Sequence, residues 1–317
     1  MPRPGWLLFA AVVPSACVLV RRALAGSVDD ERQRGPWRAA ARRLHANRGA
    51  MVGVYVLIAF AALAALAPLL APFDPARQLD IVALRSQAPS PAHLFGTDQY
   101  SRDVLSRVLH GGRVSLSVAL LAVVLAISAG TTYGAVAGYA GGRLDAAMMR
   151  VLDALLSIPR LLLLIGILAA WGRLPLPVLV IVLGVTGWFG MSRIVRGQVM
   201  SLRESEFVLS ARALGASGPR VLARHILPNV LSPVIVAATL GVGNVIILEA
   251  GLSYLGIGVS QPQASWGSII HDGANDVASL WWIALFPGLA IVCTVMAVNT
   301  LGDGLRDALD PRQLPGR

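Results

Sequence analysis

The stretch that decides the fold is Ser115–Ala137, SLSVALLAVVLAISAGTTYGAVA, which carries no charged side chain. A helix needs about 20 mostly apolar residues to cross a bilayer core, so this run reads as a membrane span rather than the core of a soluble domain. Five further runs approach that length: Met51–Ala71, Leu152–Trp171, Leu174–Met191, Val230–Leu248 and Trp281–Leu301. Pro159 and Arg160 interrupt Leu152–Trp171, and the tight turn Gly172–Arg173 joins it to the next run. The expected fold class is all-α: a polytopic membrane protein with six core transmembrane helices. Composition agrees. Of the 317 residues 56% are hydrophobic and 14% charged, where soluble chains carry about a quarter charged residues.

The 27 basic residues are all Arg. Without Lys there is no Walker A phosphate loop, no Schiff-base lysine and no Ser-Lys dyad, since each needs an ε-amine. Cys17 and Cys293 lie in separate apolar runs, and the five His show no HExxH spacing. Neither a thiolate metal site nor a disulfide framework is indicated. The expectation is therefore no catalytic residue, no metal and no cofactor in this chain; any ATP and Mg belong to another subunit.

Arginine placement sets the expected orientation. Seventeen Arg fall on one face: Arg32, Arg34, Arg38, Arg42, Arg43 and Arg48 before the first span, Arg143 and Arg150, then Arg193, Arg196, Arg203, Arg212, Arg220 and Arg224, and Arg306, Arg312 and Arg317 in the tail. Six fall on the other: Arg77, Arg85, Arg102, Arg107, Arg113 and Arg173. The positive-inside rule then places both ends of the core in the cytoplasm. The net charge of +10 is accordingly read as membrane orientation, not as nucleic-acid binding. A further apolar run, Trp6–Val20, admits three readings: a dispensable extension, an extra N-terminal apolar helix, or a signal segment whose end is spoiled by Arg21 and Arg22.

Between the fourth and fifth core runs lies 203–229. Phe207, Val208, Ala211 and Leu214 share one helical face, with Arg212 on another. Gly215 stops that helix, Ser217 can cap a second one with Pro219 in its first turn, and Pro228 ends it. The expectation is two short helices joined by a tight turn and presented to the cytoplasm. Docking into a groove on a partner, anchoring the loop in the membrane interface, and a DNA-reading helix-turn-helix all share this outline.

The run Phe207-Val208-Leu209-Ser210-Ala211-Arg212-Ala213-Leu214-Gly215, continuing to Arg224-His225-Ile226-Leu227-Pro228-Asn229, resembles the EAA loop of ABC-importer permeases. Its ending is similar to the dipeptide/oligopeptide/nickel branch. Leu94–Asp98, Arg102–Gly111, Glu249–Gly258, Ser265–Gly267 and Gly302–Pro311 resemble further signatures of that branch's C-type permease, in order, over roughly Arg38 to Arg312. Leu209 stands where the family has the Glu of the triplet, Ser210 where it has the first Ala, and Ser101 where it usually has Gly.

What the resemblance implies is the type I importer permease fold in the bacterial inner membrane, paired with a second, B-type permease to form the pore. Two cytoplasmic ATPases would drive it, and an extracytoplasmic binding protein would deliver di- or oligopeptides; nickel or another small solute is the alternative. Phe207, Ser210, Ala211, Arg212, Gly215, Ala216 and Pro228 would be the ATPase-coupling residues. Readings from other classes are a secondary transporter, which wants ionisable residues near midplane, and a membrane-anchored helix-turn-helix protein.

Four glycines repeat every fourth residue, Gly130, Gly134, Gly138 and Gly142, and read as a close-packing face, with a substrate-lining surface as the alternative. Gly141-Gly142 can equally be a turn. The possible pathway residues are Asn244, Glu249 and Asn299; interhelical hydrogen bonds are the other reading for the two Asn, and an outer water boundary for Glu249. Arg160 is expected to snorkel near the inner interface, with pore lining as the alternative. Ser101–Gly112 is expected to be an amphipathic helix lying on the membrane or pore mouth, with contact to the binding protein as the alternative, and Trp266 an interfacial anchor. By region, 1–50 is an N-terminal segment, 51–113 the first span with its outer loop, 114–306 a five-span core, and 307–317 a tail.

Overall fold

The computed structural model describes residues 36–171 and 175–310. The apolar run Trp6–Val20, the Gly172–Arg173 turn and the chain beyond Asp310 lie outside the described residues. The helices are α1 (Pro36–Ala46), α2 (Arg48–Ala65), a short α3 (Ala67–Leu70), α4 (Val104–Ala140), α5 (Gly142–Leu156), α6 (Arg160–Trp171), α7 (Leu176–Arg203), α8 (Glu206–Ala213), α9 (Gly218–Val221), α10 (Leu227–Tyr254), α11 (Trp266–Gly273) and α12 (Trp281–Leu309). The described residues form no sheet, only the isolated bridge between Thr97 and Asp103.

Five helices are long and apolar enough to cross a bilayer: Arg48–Ala65, Val104–Ala140, Leu176–Arg203, Gly218–Tyr254 and Trp281–Leu309. The apolar run that begins at Leu152 departs from its expectation. Instead of one straight helix it belongs to two, α5 and α6, which meet at 71° and are long and apolar enough only as a pair, as a broken span or a re-entrant loop. Proline explains the break: Pro159 has no N–H to give and its ring collides with the preceding turn.

Polar caps set two of the helix starts. Asn47 Oδ1 accepts the Ala50 N–H at the head of α2, and Asp103 Oδ2 accepts the Ser106 N–H at the head of α4. The central and most extensive helix pairing is α4 with α7; α10, α12 and α2 pack around it. Ala119, Ala122, Leu164, Leu168, Leu179, Leu183, Ile246 and Leu252 fill the main core. Only 22% to 39% of each span's most apolar window is buried within the subunit. The remaining apolar surface therefore needs lipid or another subunit against it.

Two more expectations are corrected. Ser101–Gly112 does not lie on a surface: residues from Val104 onward are the first turns of the 37-residue α4, and Arg102, Asp103 and Arg107 are buried. Trp266 is likewise a core residue, 2% exposed. Its indole N–H donates to the Val108 carbonyl at 3.1 Å, and its ring meets Phe60 edge-on with centroids 6.0 Å apart. Both segments are drawn inward by partners distant in sequence: Asp272 for Arg102 and Arg107, and the Val108 carbonyl for Trp266.

Candidate functional site

The 203–229 segment closes one end of the bundle. Eight residues of α8 end in a Schellman motif: Gly215 N–H donates to Arg212 O at 2.9 Å and Ala216 N–H to Ala211 O at 3.0 Å. Gly215 has φ +82°, the left-handed conformation that side chains resist. Its tip is free of neighbours, since a Cβ there would have nothing within 4 Å.

The root of this hairpin is fixed. Val208 is fully buried against Val195, Val199, Val221 and Ile226. Tyr139, near the end of α4, receives it on two sides: the Arg212 guanidinium lies 5.3 Å from the ring centroid, and Gly218 packs close to the phenol. Arg203 Nη1 donates to the Tyr139 carbonyl at 3.2 Å. The opposite face is open. Phe207, Leu209, Ser210, Arg212 and Pro228 are exposed, Ala211 and Ala216 half-buried, and Leu214 at the tip is 88% exposed.

Three details differ from the sequence reading. Leu214 does not share the buried face with Val208, because α8 ends one residue before it. Ser217 occupies the capping position without a side-chain cap bond. Pro228 does not end the second helix. A π-helical turn, Leu222–Ile226, follows α9, and the Leu227 N–H closes on Leu222 O. That widened turn shifts the register where Pro228 lacks an N–H, and the helix continues through it. The hairpin's second arm is thus the first part of a helix running from Gly218 to Tyr254.

The glycine row of α4 faces α7. A Cβ on Gly130 would stand 2.7 Å from Met191 Cβ, one on Gly138 2.7 Å from the Arg196 carbonyl, and one on Gly134 would overlap the Ser192 carbonyl. Gly142 is not part of this face; with Gly141 it forms the positive-φ break between α4 and α5. Beside that break Arg196 holds Asp145 through Nε and Nη2.

Of the pathway candidates, Glu249 is fully buried. Its oxygens accept from Ser115 Oγ at 2.9 Å and Ser253 Oγ at 2.7 Å. Asn244 and Asn299 are exposed; Asn299 Oδ1 lies beside Gly243, next to Asn244. The structure therefore brings the Asn299 side chain to the neighbourhood of Asn244 and keeps Glu249 apart, nearer the far end of α10.

At that far end sits a cluster the sequence reading missed. Asp98 Oδ2 accepts from Arg102 Nε and Arg107 Nη1, both at 2.6 Å, and Asp272 Oδ2 accepts from Arg102 Nη2 at 2.9 Å and Arg107 Nη1 at 2.8 Å. His93 Nδ1 pairs with Asp103 Oδ1 at 2.9 Å. The Asp98–Arg102 spacing was a local signal; nothing local announced Asp272. Arg160 is also displaced from its expected place. Its Nη2 donates to Leu183 O at 2.9 Å, deep along α7, instead of snorkelling outward.

Residues 130–314 match the family model described as binding-protein-dependent transport system inner membrane component. Residues 35–89 match that of the N-terminal TM domain of oligopeptide transport permease C. The chain is 42% identical over 272 residues to the dipeptide transport system permease protein DppC of Bacillus subtilis, covering 86% of this chain and 84% of that protein. It is 40% identical to the oligopeptide transport system permease protein OppC of the same species, covering 87% and 90%. Against OppC of Haemophilus influenzae the identity is 38%, covering 88% and 89%.

Proposed function

The chain belongs to the family of binding-protein-dependent transport system inner membrane components, and we propose that it is the C-type permease subunit of an ATP-driven importer of di- and oligopeptides. It forms half of the translocation pore with a B-type permease in the bacterial inner membrane, both ends of its core in the cytoplasm. Two ATPase subunits bind ATP and Mg, and an extracytoplasmic binding protein supplies the peptide. The names of the relatives support the substrate class, and the Arg distribution supports the orientation.

The observation that carries the coupling role is the contrast within α8: Val208 fully buried at the root, Leu214 88% exposed at the tip. A hairpin seated that firmly and that bare at its end can be gripped and can transmit force. Its second arm is continuous with α10, so motion of an ATPase groove reaches the far end of the bundle as movement of one stiff rod. Phe207, Leu209, Ser210, Ala211, Arg212, Gly215 and Ala216 form the gripped part, with Pro228 at the base of the rod. Leu209 gives an apolar contact where relatives with the EAA triplet carry a carboxylate.

Cysteine placed at Leu214 tests this. In the assembled complex L214C is expected to cross-link to the ATPase subunit in a nucleotide-dependent manner. Cross-linking only to lipid-embedded probes, with none to an ATPase in any nucleotide state, overturns the coupling role.

A further inference from the structure

Arg160 stands where a charge is costly. It opens α6 directly after the 71° break. Its guanidinium crosses to α7, where Nη2 donates to Leu183 O at 2.9 Å and Nε to Thr186 Oγ1 at 3.4 Å. A Cβ on Gly187 would lie 3.1 Å from both Arg160 Nη2 and Ala126 Cβ. That puts the charge level with Ala126, the midpoint of the apolar run Ser115–Ala137. Residues 186 and 193 of α7 are about 10 Å apart along the helix axis, so the guanidinium is well removed from the Arg193 level.

Both partners of Arg160 are neutral. Among the described residues no carboxylate lies within ion-pair distance of it, and three acids of the bundle are engaged elsewhere: Asp153 by Arg193, Asp145 by Arg196, Glu249 by two serines. Nη1 has no hydrogen-bond partner among the described residues, and the side chain is half-buried rather than sealed. Its chain neighbours Ile158, Leu161 and Leu162 are exposed in the isolated subunit. The site therefore keeps an uncancelled positive charge and a free donor level with the middle of that apolar run, held in place by backbone. Ionisable side chains within membrane spans mark substrate and ion pathways, and backbone carbonyls are among their usual partners.

We propose that Arg160 is a carboxylate subsite in the translocation path, taking the free C-terminal carboxylate of the passing peptide. The inference rests on the peptide-importer reading. A guanidinium presents planar N–H donors that match a carboxylate and repel the ammonium at the peptide's other end. Its neutral partners orient the group without neutralising it, so the peptide supplies the missing anion and is released as the helices move.

The test uses the complete complex with its ATPases and binding protein in proteoliposomes, comparing a short peptide with its C-terminal amide. Both variants receive substrate from the same binding protein, whose own preference cancels in the ratio of R160Q to unmodified complex. R160Q is expected to lower uptake of the free-carboxylate peptide by about tenfold and that of the amide by less than about threefold, the loss of one charge-assisted contact. Equal losses for both peptides, or none, overturn the proposal while leaving the importer reading intact. If the unmodified complex takes up neither peptide, the importer reading falls and the subsite with it. Should R160Q fail to assemble, R160K keeps the charge but not the fork and is expected to retain part of the preference for the free carboxylate; losses in R160K that are equal for the two peptides overturn the proposal.

Discussion

The Arg107 guanidinium lies 2.8 Å from the Asp272 carboxylate, a contact between side chains 165 residues apart. It ties the first turn of α4 to α11, and Asp98 and Arg102 complete a sealed square of two acids and two bases. Removing one acid leaves two buried cations facing a single anion, which costs about 3–5 kcal/mol. Asp272→Asn, nearly isosteric, is therefore expected to lower the thermal unfolding midpoint of the purified complex by several degrees. The double variant R107Q/D272N should lose less than the sum of the singles, since the second change relieves the unpaired charge left by the first. Additive losses would show that the two residues act separately.

The α4–α7 seam gives a sharper steric test. A methyl on Gly134 would overlap the Ser192 carbonyl and stand 2.9 Å from Val195 Cβ, whereas one on Gly166 would meet nothing within 4 Å. Overpacking of a tight contact costs about 1–3 kcal/mol, more where backbone is the obstacle. Gly134→Ala should reduce the folded fraction recovered by size-exclusion chromatography in detergent, and Gly166→Ala should not. Equal recovery of the two would mean that the helices part easily here.

Legibility followed the range of the interaction. The spans were readable because an apolar run of bilayer length is a local property, and Pro159 announced the break between α5 and α6. The turn at Gly215 was readable because positive φ is written into a single residue. Arg102, Arg107 and Trp266 were misplaced for the opposite reason. They are held by Asp272 and the Val108 carbonyl, partners that no periodicity reveals. Pro228 does not stop the helix because a π turn upstream lets the helix accept a proline; that turn carries the buried Ile226 and follows the buried Val221.

Coupling through the hairpin should separate from folding. At Gly215 a Cβ would have nothing within 4 Å, so the main cost of Gly215→Val is the left-handed conformation, about 1–2 kcal/mol for a side-chain-bearing residue. The expected result is a complex that still assembles but whose ATPase activity no longer responds to loaded binding protein. Leu214→Ala keeps the turn and removes only the exposed tip, so it should reduce that response without changing the thermal midpoint. Full stimulation in both variants would place the transmitted force elsewhere.

Glu249 organises the far end through two matched relays. The Val259 N–H donates to Ser253 Oγ at 3.0 Å and that hydroxyl to Glu249 Oε1; the Trp266 N–H donates to Ser115 Oγ at 3.2 Å and that hydroxyl to Glu249 Oε2. Each serine has one proton to give, and both give it to the carboxyl, which accepts on both oxygens. Glu249→Gln breaks this polarity. Its amide NH2 would face one serine as a donor, forcing that hydroxyl to turn its proton away or to meet the backbone N–H head-on. A buried mismatch of this kind costs about 1–3 kcal/mol. E249Q should therefore raise amide hydrogen exchange at Val259 or Trp266 by about tenfold or more, while amides of the hairpin at the opposite end keep their protection. Unchanged exchange at both amides would show that the 255–266 segment is held by the packing of Trp266 against Phe60, with the carboxylate dispensable.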